Sequence, residues 1–573
     1  MRASRWVSVW LALGSALALA QDAGLAEPTD ERLPELKGEA KARIQNIDQS
    51  LTDWDIEGAK RELAELEKVA PSNVEPLRYY RGRVAFEDGR YQTAVEELTE
   101  SGVSDKPGSW LRLAKETQRI VEKHEKAESA HFIFLYPPGK DAVLASWALE
   151  ALEAQRTALE KDLGYAPTEK IRVEVVNDAG ELSKVSTLSK EAIRTTGTIA
   201  ICKFNKLMVT SPKAIVHGYD WLDTLAHEYT HLVVSKKSRN TVPIWMHEGL
   251  AKYLESRWRG PAGGAMTPFT LALLGSRVRK NTLVPFEKMH PSMALLPTAE
   301  DAATAFAEVF FAVQLIHTEN GADALERLLG AMALGVGDKA AVERVTRKKW
   351  PDFERGVTAY LKRQPFPKDL IPQSSNEKKE LAGDPNKKEK KPDREISFGD
   401  FSEVRETDAR RWAHLGELMR ERNRMVAATE EYERAWKVVG NRYESISNKY
   451  ALALLETRQL DLAQKVLEGS LTVHPGSAST NVHLGRLALR KKDWALAKRA
   501  YIEALGVNPF DPEISVALYK VAKALNDATL LERATKDAAV LLNVTPAQLA
   551  EVAKRLGGED LVDVQLEPRP DAG

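Results

Sequence analysis

One cysteine, Cys202, stands among 573 residues, so no disulfide within the chain can brace the fold. It lies in an apolar, strand-like run, which favours a buried, inert thiol over a nucleophile. No Gly-x-Ser-x-Gly segment occurs, which removes the serine-hydrolase elbow, and Gly335-Val336-Gly337 is too incomplete for a nucleotide loop. Charge of one sign is lacking too: 82 Lys and Arg stand against 83 Asp and Glu. A formal charge of −1 points to neither nucleic acid nor an anionic membrane as a partner. Long apolar runs are missing apart from Trp6 to Ala20, which is shorter than the about 20 residues of a membrane span. Arg2 and Arg5 precede that run and Ala18-Leu19-Ala20 ends it, the pattern of an export signal cleaved after Ala20. The expected location is therefore periplasmic or secreted, in a bacterium, with no integral span after cleavage. No cysteine stands at the cleavage point, so lipoprotein processing is excluded.

What is present is His227-Glu228-Tyr229-Thr230-His231. On a helix, residues i and i+4 share a face, so His227 and His231 can offer imidazole nitrogens to one cation. Glu228 leans toward the same ion and can take a proton from a water there. Apolar Trp221, Leu222, Leu225, Ala226, Leu232 and Val233 recur at helical spacing without Gly or Pro between them. A hydrolytic zinc site takes three protein ligands and leaves a fourth position open. Ser235 to Asn240 reads as a loop, and Pro243 as the first turn of a second helix, Ile244 to Trp258. So short a connection lets the second helix pack back across the first. Glu248 then faces the histidine pair as third ligand, with Ala251 and Glu255 on nearby turns. His247 points about 100° away and reads as a supporting or substrate-facing group; it is also the alternative third ligand.

The string from His227 to His231, followed by Pro243-Ile244-Trp245-Met246-His247-Glu248-Gly249-Leu250-Ala251-Lys252-Tyr253, resembles the bacterial peptidase MA-like domains. These are gluzincins distantly related to thermolysin. The resemblance covers about Ala127 to Arg363 and implies one zinc ion held by His227, His231 and Glu248, with Glu228 as general base. It also implies a hydroxyl or imidazole donor for the oxyanion, sought on the helix from Ala302 to Thr318. The early aromatic there is Phe306, which has no hydroxyl, so Tyr253, His290 and His317 are the candidates. In thermolysin a carboxylate one turn after the glutamate ligand orients a histidine. Lys252 stands at that place here, leaving Asp223 or Glu255 to do the job.

Upstream, Phe132 to Tyr136 and Ile171 to Val176 read as strands around a helix from Ala142 to Leu163. Ile199 to Lys203 and Leu207 to Thr210 read as two more, turning at Asn205-Lys206. Within Thr198 to Thr210, Leu207, Met208 and Val209 are the expected edge along which an extended substrate pairs.

Past the catalytic segment, the charged stretch around Asn376 to Asp393 is too poor in apolar residues to bury a core. Beyond it Leu415-Gly416, Ala428, Tyr432 and Ala435 recur as Ala451, Ala463, Leu467 and Pro475, and again as Leu484-Gly485, Ala497, Tyr501, Ala504 and Pro509. This resembles the tetratricopeptide repeat. Trp54, Ala59, Leu63 and Pro71, then Gly82, Ala94 and Leu98, suggest similar pairs near the start.

The expected architecture is a multidomain α+β chain: a thermolysin-like zincin domain, with a small mixed sheet and active-site helices, between α-solenoid segments. Its parts are a signal peptide 1–20, a helical segment 30–125, the peptidase domain 126–364, a linker 365–404, repeats 405–557 and a tail 558–573. The expected activity is zinc-dependent hydrolysis of peptide bonds in a peptide or protein substrate, with protein partners in the repeat grooves. The rivals are an inactive peptidase-like scaffold and a zinc hydrolase of cell-wall peptides.

Overall fold

A computed structural model describes residues 34–368, 370 and 401–555, apart from 265, 291, 294 and 295. The expected signal peptide, residues 371–400 of the linker and the tail lie outside the described residues. The chain is mostly helical with one small mixed sheet. Among the described residues no helix is long and apolar enough to cross a membrane. Two compact units divide it: Met1–Met266 with Leu274–Pro365, and Thr267–Leu273 with Phe366–Gly573.

The first unit opens with α1 (Glu39–Thr52), α2 (Ile56–Val69), α3 (Glu75–Glu87), α4 (Tyr91–Glu100) and α5 (Trp110–Val121). Helix starts are set by side chains that satisfy otherwise orphaned N–H groups: Asp55 accepts from Gly58 and Ser109 from Arg112. Strands β1 (Glu125–Glu128) and β2 (Phe132–Tyr136) follow, then α6 (Leu144–Leu163), β3 (Ile171–Val176), α7 (Ala179–Val185), α8 (Lys190–Thr196), β4 (Ala200–Lys203) and β5 (Lys206–Thr210). The sheet order is β1-β2-β3-β5-β4, parallel through β2, β3 and β5 and antiparallel at both margins.

That order corrects the expected substrate edge. Leu207, Met208 and Val209 lie on β5, whose main chain is paired with β3 on one side and β4 on the other. The margin on this side of the sheet is β4, Ala200 to Lys203. The hairpin between them turns at Phe204-Asn205, one residue earlier than expected, with both residues left-handed at φ 55° and 56°.

Alternation along the strands divides the sheet's faces. Ile201, Met208 and Val176 bury against Phe86, Tyr91, Trp110 and Leu182 from α3, α4, α5 and α7. The opposite face meets the histidine helix, where Phe132 and Tyr229 rings stand 5.0 Å apart. On the first face a buried ion pair, Glu174 with Lys206 at 2.7 Å, takes in the Tyr91 hydroxyl of α4 as well.

Helices α9 (Trp221–Ser238), α10 (Ile244–Leu254) and α11 (Pro268–Lys280) come next, then α12 (Ala299–Asn320), α13 (Ala324–Ala333), α14 (Asp338–Thr346) and α15 (Trp350–Lys362). Two expectations change here. Ser235 is helical, because α9 continues to Ser238 before Arg239 turns left-handed at φ 56°. α10 stops at Leu254 rather than Trp258. Near the end of α9 the Lys236 ammonium reaches the Trp54 carbonyl at 2.9 Å and Glu169 at 2.5 Å.

The second unit stacks helical hairpins: α16 (Thr407–Glu421) with α17 (Met425–Val439), α18 (Glu444–Glu456) with α19 (Leu460–Val473), α20 (Ala478–Lys491) with α21 (Trp494–Leu505), α22 (Pro512–Leu525) with α23 (Ala528–Leu542), then α24 (Pro546–Arg555). The small residues are there for close approach. A Cβ at Gly416 would come 2.7 Å from the Tyr432 ring, and one at Gly485 2.5 Å from Tyr501. In the first unit Gly82 meets Leu98 in the same way, at 2.5 Å.

Candidate metal centre

α9 carries His227 and His231 one turn apart, both buried, with their Nε2 atoms 3.1 Å from each other. Glu248, in the second turn of α10, brings Oε2 to 3.5 Å from each of those nitrogens. Gly249 beside it makes this possible, since a Cβ there would come 2.8 Å from the Val309 carbonyl oxygen of α12. Among the described residues this is the group of His, Cys, Asp and Glu donors that could hold a metal ion.

The triangle fits a cation. Donors about 2.0–2.1 Å from a tetrahedral zinc stand about 3.3 Å from one another, close to the edges seen here. His227 Nδ1 donates to the Glu255 carboxylate at 3.1 Å, which leaves a bare electron pair on its Nε2. His231 Nδ1 lies 2.6 Å from His247 Nδ1, and His247 Nε2 lies 3.1 Å from the Ser235 hydroxyl. With the His231 proton on Nδ1, His247 accepts it and passes its own N–H to Ser235. Burial and the neighbouring His231 keep His247 well below the usual imidazole range, as an acceptor requires. Glu248 Oε2 is buried and has no hydrogen-bond donor. With both imidazoles in these tautomers three lone pairs face one another, an arrangement that a cation, or in its absence a proton on His227, relieves.

In the absence of an ion, the electrostatics put a proton there instead. Burial disfavours charge on His227, yet the Glu248 and Glu255 carboxylates lift it to about 9. Burial would likewise raise Glu248, but His231 and His227 hold it down at about 2. Glu228 differs from both. Burial pushes it up to about 8, with His227 opposing, Glu248 reinforcing, and the Cys202 main-chain N–H of β4 opposing as a donor to its carboxylate. Its Oε1 is buried without a partner.

The remaining candidates separate cleanly. Glu255 is the carboxylate that orients His227. Lys252, at the place where a carboxylate was expected, holds Glu255 in turn at 2.5 Å. Asp223 faces elsewhere, accepting from the Trp258 indole at 2.9 Å and pairing with Arg259; burial, opposed by Arg259, pushes it up to about 7. The Tyr253 hydroxyl meets His317 Nδ1 at 2.9 Å, so these two candidates occupy each other. His290 is exposed and Phe306 is packed in the core. Sequence reasoning missed Ser235 and the Cys202 N–H. Ser235 had a signal: it stands at i+4 from His231 on the same helix face.

No curated protein matches the chain. Among solved structures, native yeast LTA4 hydrolase is 13% identical with a TM-score of 0.30, over 72% of this chain and 66% of that one. The APC/C hetero-tetramer Cut9-Hcn1 is 12% identical with a TM-score of 0.24, over 89% of this chain and 80% of that one. The residues that build the His227–His231–Glu248 triangle, with Glu228, His247 and Glu255 around it, all fall within 152–349, and over that stretch the chain matches the Peptidase MA superfamily.

Proposed function

We propose that the chain is an exported, periplasmic or secreted, zinc-dependent peptidase of the thermolysin-like gluzincin type, with helical repeats that hold protein partners or substrate. The observation that carries this reading is the convergence of His227 Nε2, His231 Nε2 and Glu248 Oε2 within 3.5 Å of one another, beside a buried, half-unpartnered glutamate. His227, His231 and Glu248 would hold the ion; imidazole and carboxylate donors in a three-ligand set suit zinc. A zinc ion there supplies electrophilic catalysis, polarising a carbonyl and bringing the pKa of a water toward about 7. Glu228 would take the proton of a water there and return it to the leaving amine. Burial raises that carboxyl's affinity for a proton, and a cation held by the triangle would lower it again toward the range a base needs. Glu255 and the His247–Ser235 pair hold the two imidazoles in the tautomer that ligation needs. A peptide adding to β4 would compete with Glu228 for the Cys202 N–H and so free the carboxylate for the water.

Zinc content and casein cleavage by the purified full chain test the reading together. Glu228→Gln is expected to retain zinc and lose cleavage, and His231→Ala to lose both. A second reading, a zinc-holding scaffold without turnover, is favoured by one feature: among the described candidates, Phe306 has no hydroxyl, Tyr253 and His317 occupy each other, and His290 is exposed. Loss of one oxyanion donor costs about 10²–10³ in turnover. Stoichiometric zinc with no cleavage of casein or of cell-wall muropeptides, by either Glu228 or its glutamine variant, would select the scaffold. Cleavage of muropeptides alone would select a cell-wall hydrolase.

A further inference from the structure

Glu255, the carboxylate on His227, stands just past the end of α10 at Leu254, so its place depends on how the chain leaves that helix. Three side chains from other helices hold the exit. Gln155 on α6 donates from its amide nitrogen to the Leu254 carbonyl at 2.9 Å. Asp162, two turns further along the same face of α6, takes the Arg257 guanidinium at 2.7 and 3.3 Å. Asp223 on α9 accepts from the Trp258 indole and pairs with Arg259.

Gln155 differs from the other two in reaching both helices that carry metal ligands. The same nitrogen donates to the Thr230 hydroxyl of α9 at 3.0 Å, inside the His227–His231 motif. That hydroxyl gives its own proton to the Ala226 carbonyl at 2.7 Å, so toward Gln155 it can only accept. The Leu254 oxygen can only accept as well. Each N–H of the amide is therefore committed to one helix, and the amide's orientation is fixed. Gln155 and Thr230 are fully buried, where such bonds meet no competition from water.

Packing alone does not call for an amide here. Gln155 Oε1 is buried without a partner, a desolvation cost that an apolar side chain of the same length avoids. What glutamine adds over methionine is direction: two bonds of set length, one to α9 within the motif and one to the last residue of α10.

We propose that Gln155 is a positioning residue of the metal centre, fixing α9 against the end of α10 and, through Leu254, the Glu255 carboxylate on His227. The inference rests on the reading of His227, His231 and Glu248 as zinc ligands, and adds a residue hydrogen-bonded to none of them.

Zinc affinity by chelator competition and the visible spectrum of the cobalt(II)-substituted full chain, beside thermal melts of the metal-free forms, test it. Three variants separate placement from packing. Gln155→Met keeps the side chain's length and removes both bonds, and Thr230→Val removes one. Leu152→Ala opens a cavity under the same helix, one turn earlier, and leaves both bonds in place. Zinc affinity is expected to fall about ten-fold or more in Gln155→Met and by less in Thr230→Val. The cobalt bands of Gln155→Met should shift as the ligand geometry changes. Leu152→Ala should lower the thermal midpoint at least as far, with zinc affinity and cobalt bands as in wild type. Unchanged affinity and spectrum in Gln155→Met, or a loss that Leu152→Ala reproduces, overturns the proposal and leaves the metal reading intact. A wild-type chain that binds neither zinc nor cobalt removes both.

Discussion

At the scale of single residues, the account turns on which atoms carry protons. His227 leans on a charged acceptor, Glu255, whereas His231 leans on a neutral one, His247. The two supports therefore fail differently. His247→Ala should lower zinc affinity about 10–100-fold, the usual cost of removing such a support. His247→Asn should recover much of that loss, because the amide oxygen can stand where Nδ1 accepts. Competition titration with a chromophoric chelator reads both, and equal affinities for wild type and His247→Ala would remove the role. Glu255→Gln should weaken zinc as well, and Lys252→Ala should do so to a smaller extent through Glu255. His227, Glu228 and His231 were legible because a pentapeptide on one helix fixes its own geometry, and Glu248 because a short connection brings the next helix back across it. The choice between Asp223 and Glu255 was not. It depends on how α10 crosses α9 and on where the chain leaves the helix after Leu254, which no local pattern encodes.

At the scale of elements, the apolar periodicities located β2, β3, the long helix before β3 and both site helices to within a few residues. Strand order was beyond them. Two adjacent strands joined by a tight turn must pair, but which of them then meets β3 is decided by long-range packing. Hence β5 is interior and β4 is the margin, and the candidate edge moves from Leu207–Val209 to Ala200–Lys203. The extent of α9 was misread for a related reason: polar Ser235 and Lys236 look like loop, yet tertiary partners hold them in helix. The close contact of α10 with α12 makes a sharp prediction. Gly249→Val should destabilise the first unit by about 1–3 kcal/mol through overpacking against Val309, and weaken zinc by shifting Glu248. A thermal melt together with a zinc titration measures it; a variant as stable and as zinc-avid as wild type would show that the glycine is incidental.

For the whole molecule, the helical segment before β1 shares a core with the sheet, through Phe86, Tyr91 and Trp110. Sequence repeats marked those helices, and their small number implied docking on the catalytic domain, but left open which face of the sheet they cover, since a helix's apolar stripe does not name its partner. The buried Glu174–Lys206 pair, with the Tyr91 hydroxyl, ties segment and sheet together. Lys206→Met should cost about 3–5 kcal/mol by leaving a buried carboxylate uncompensated. Adding Glu174→Leu should restore most of it. Urea unfolding of the two variants checks this, and a double variant no better than the single one would show that the pair itself holds the fold together.

Two imidazoles and a carboxylate converge because a cation belongs between them. Inductively coupled plasma mass spectrometry of the purified full chain, beside its His231→Ala variant, addresses that directly. The account predicts one zinc per wild-type chain and none in the variant; equal metal content in the two, whether zero or one, would contradict it.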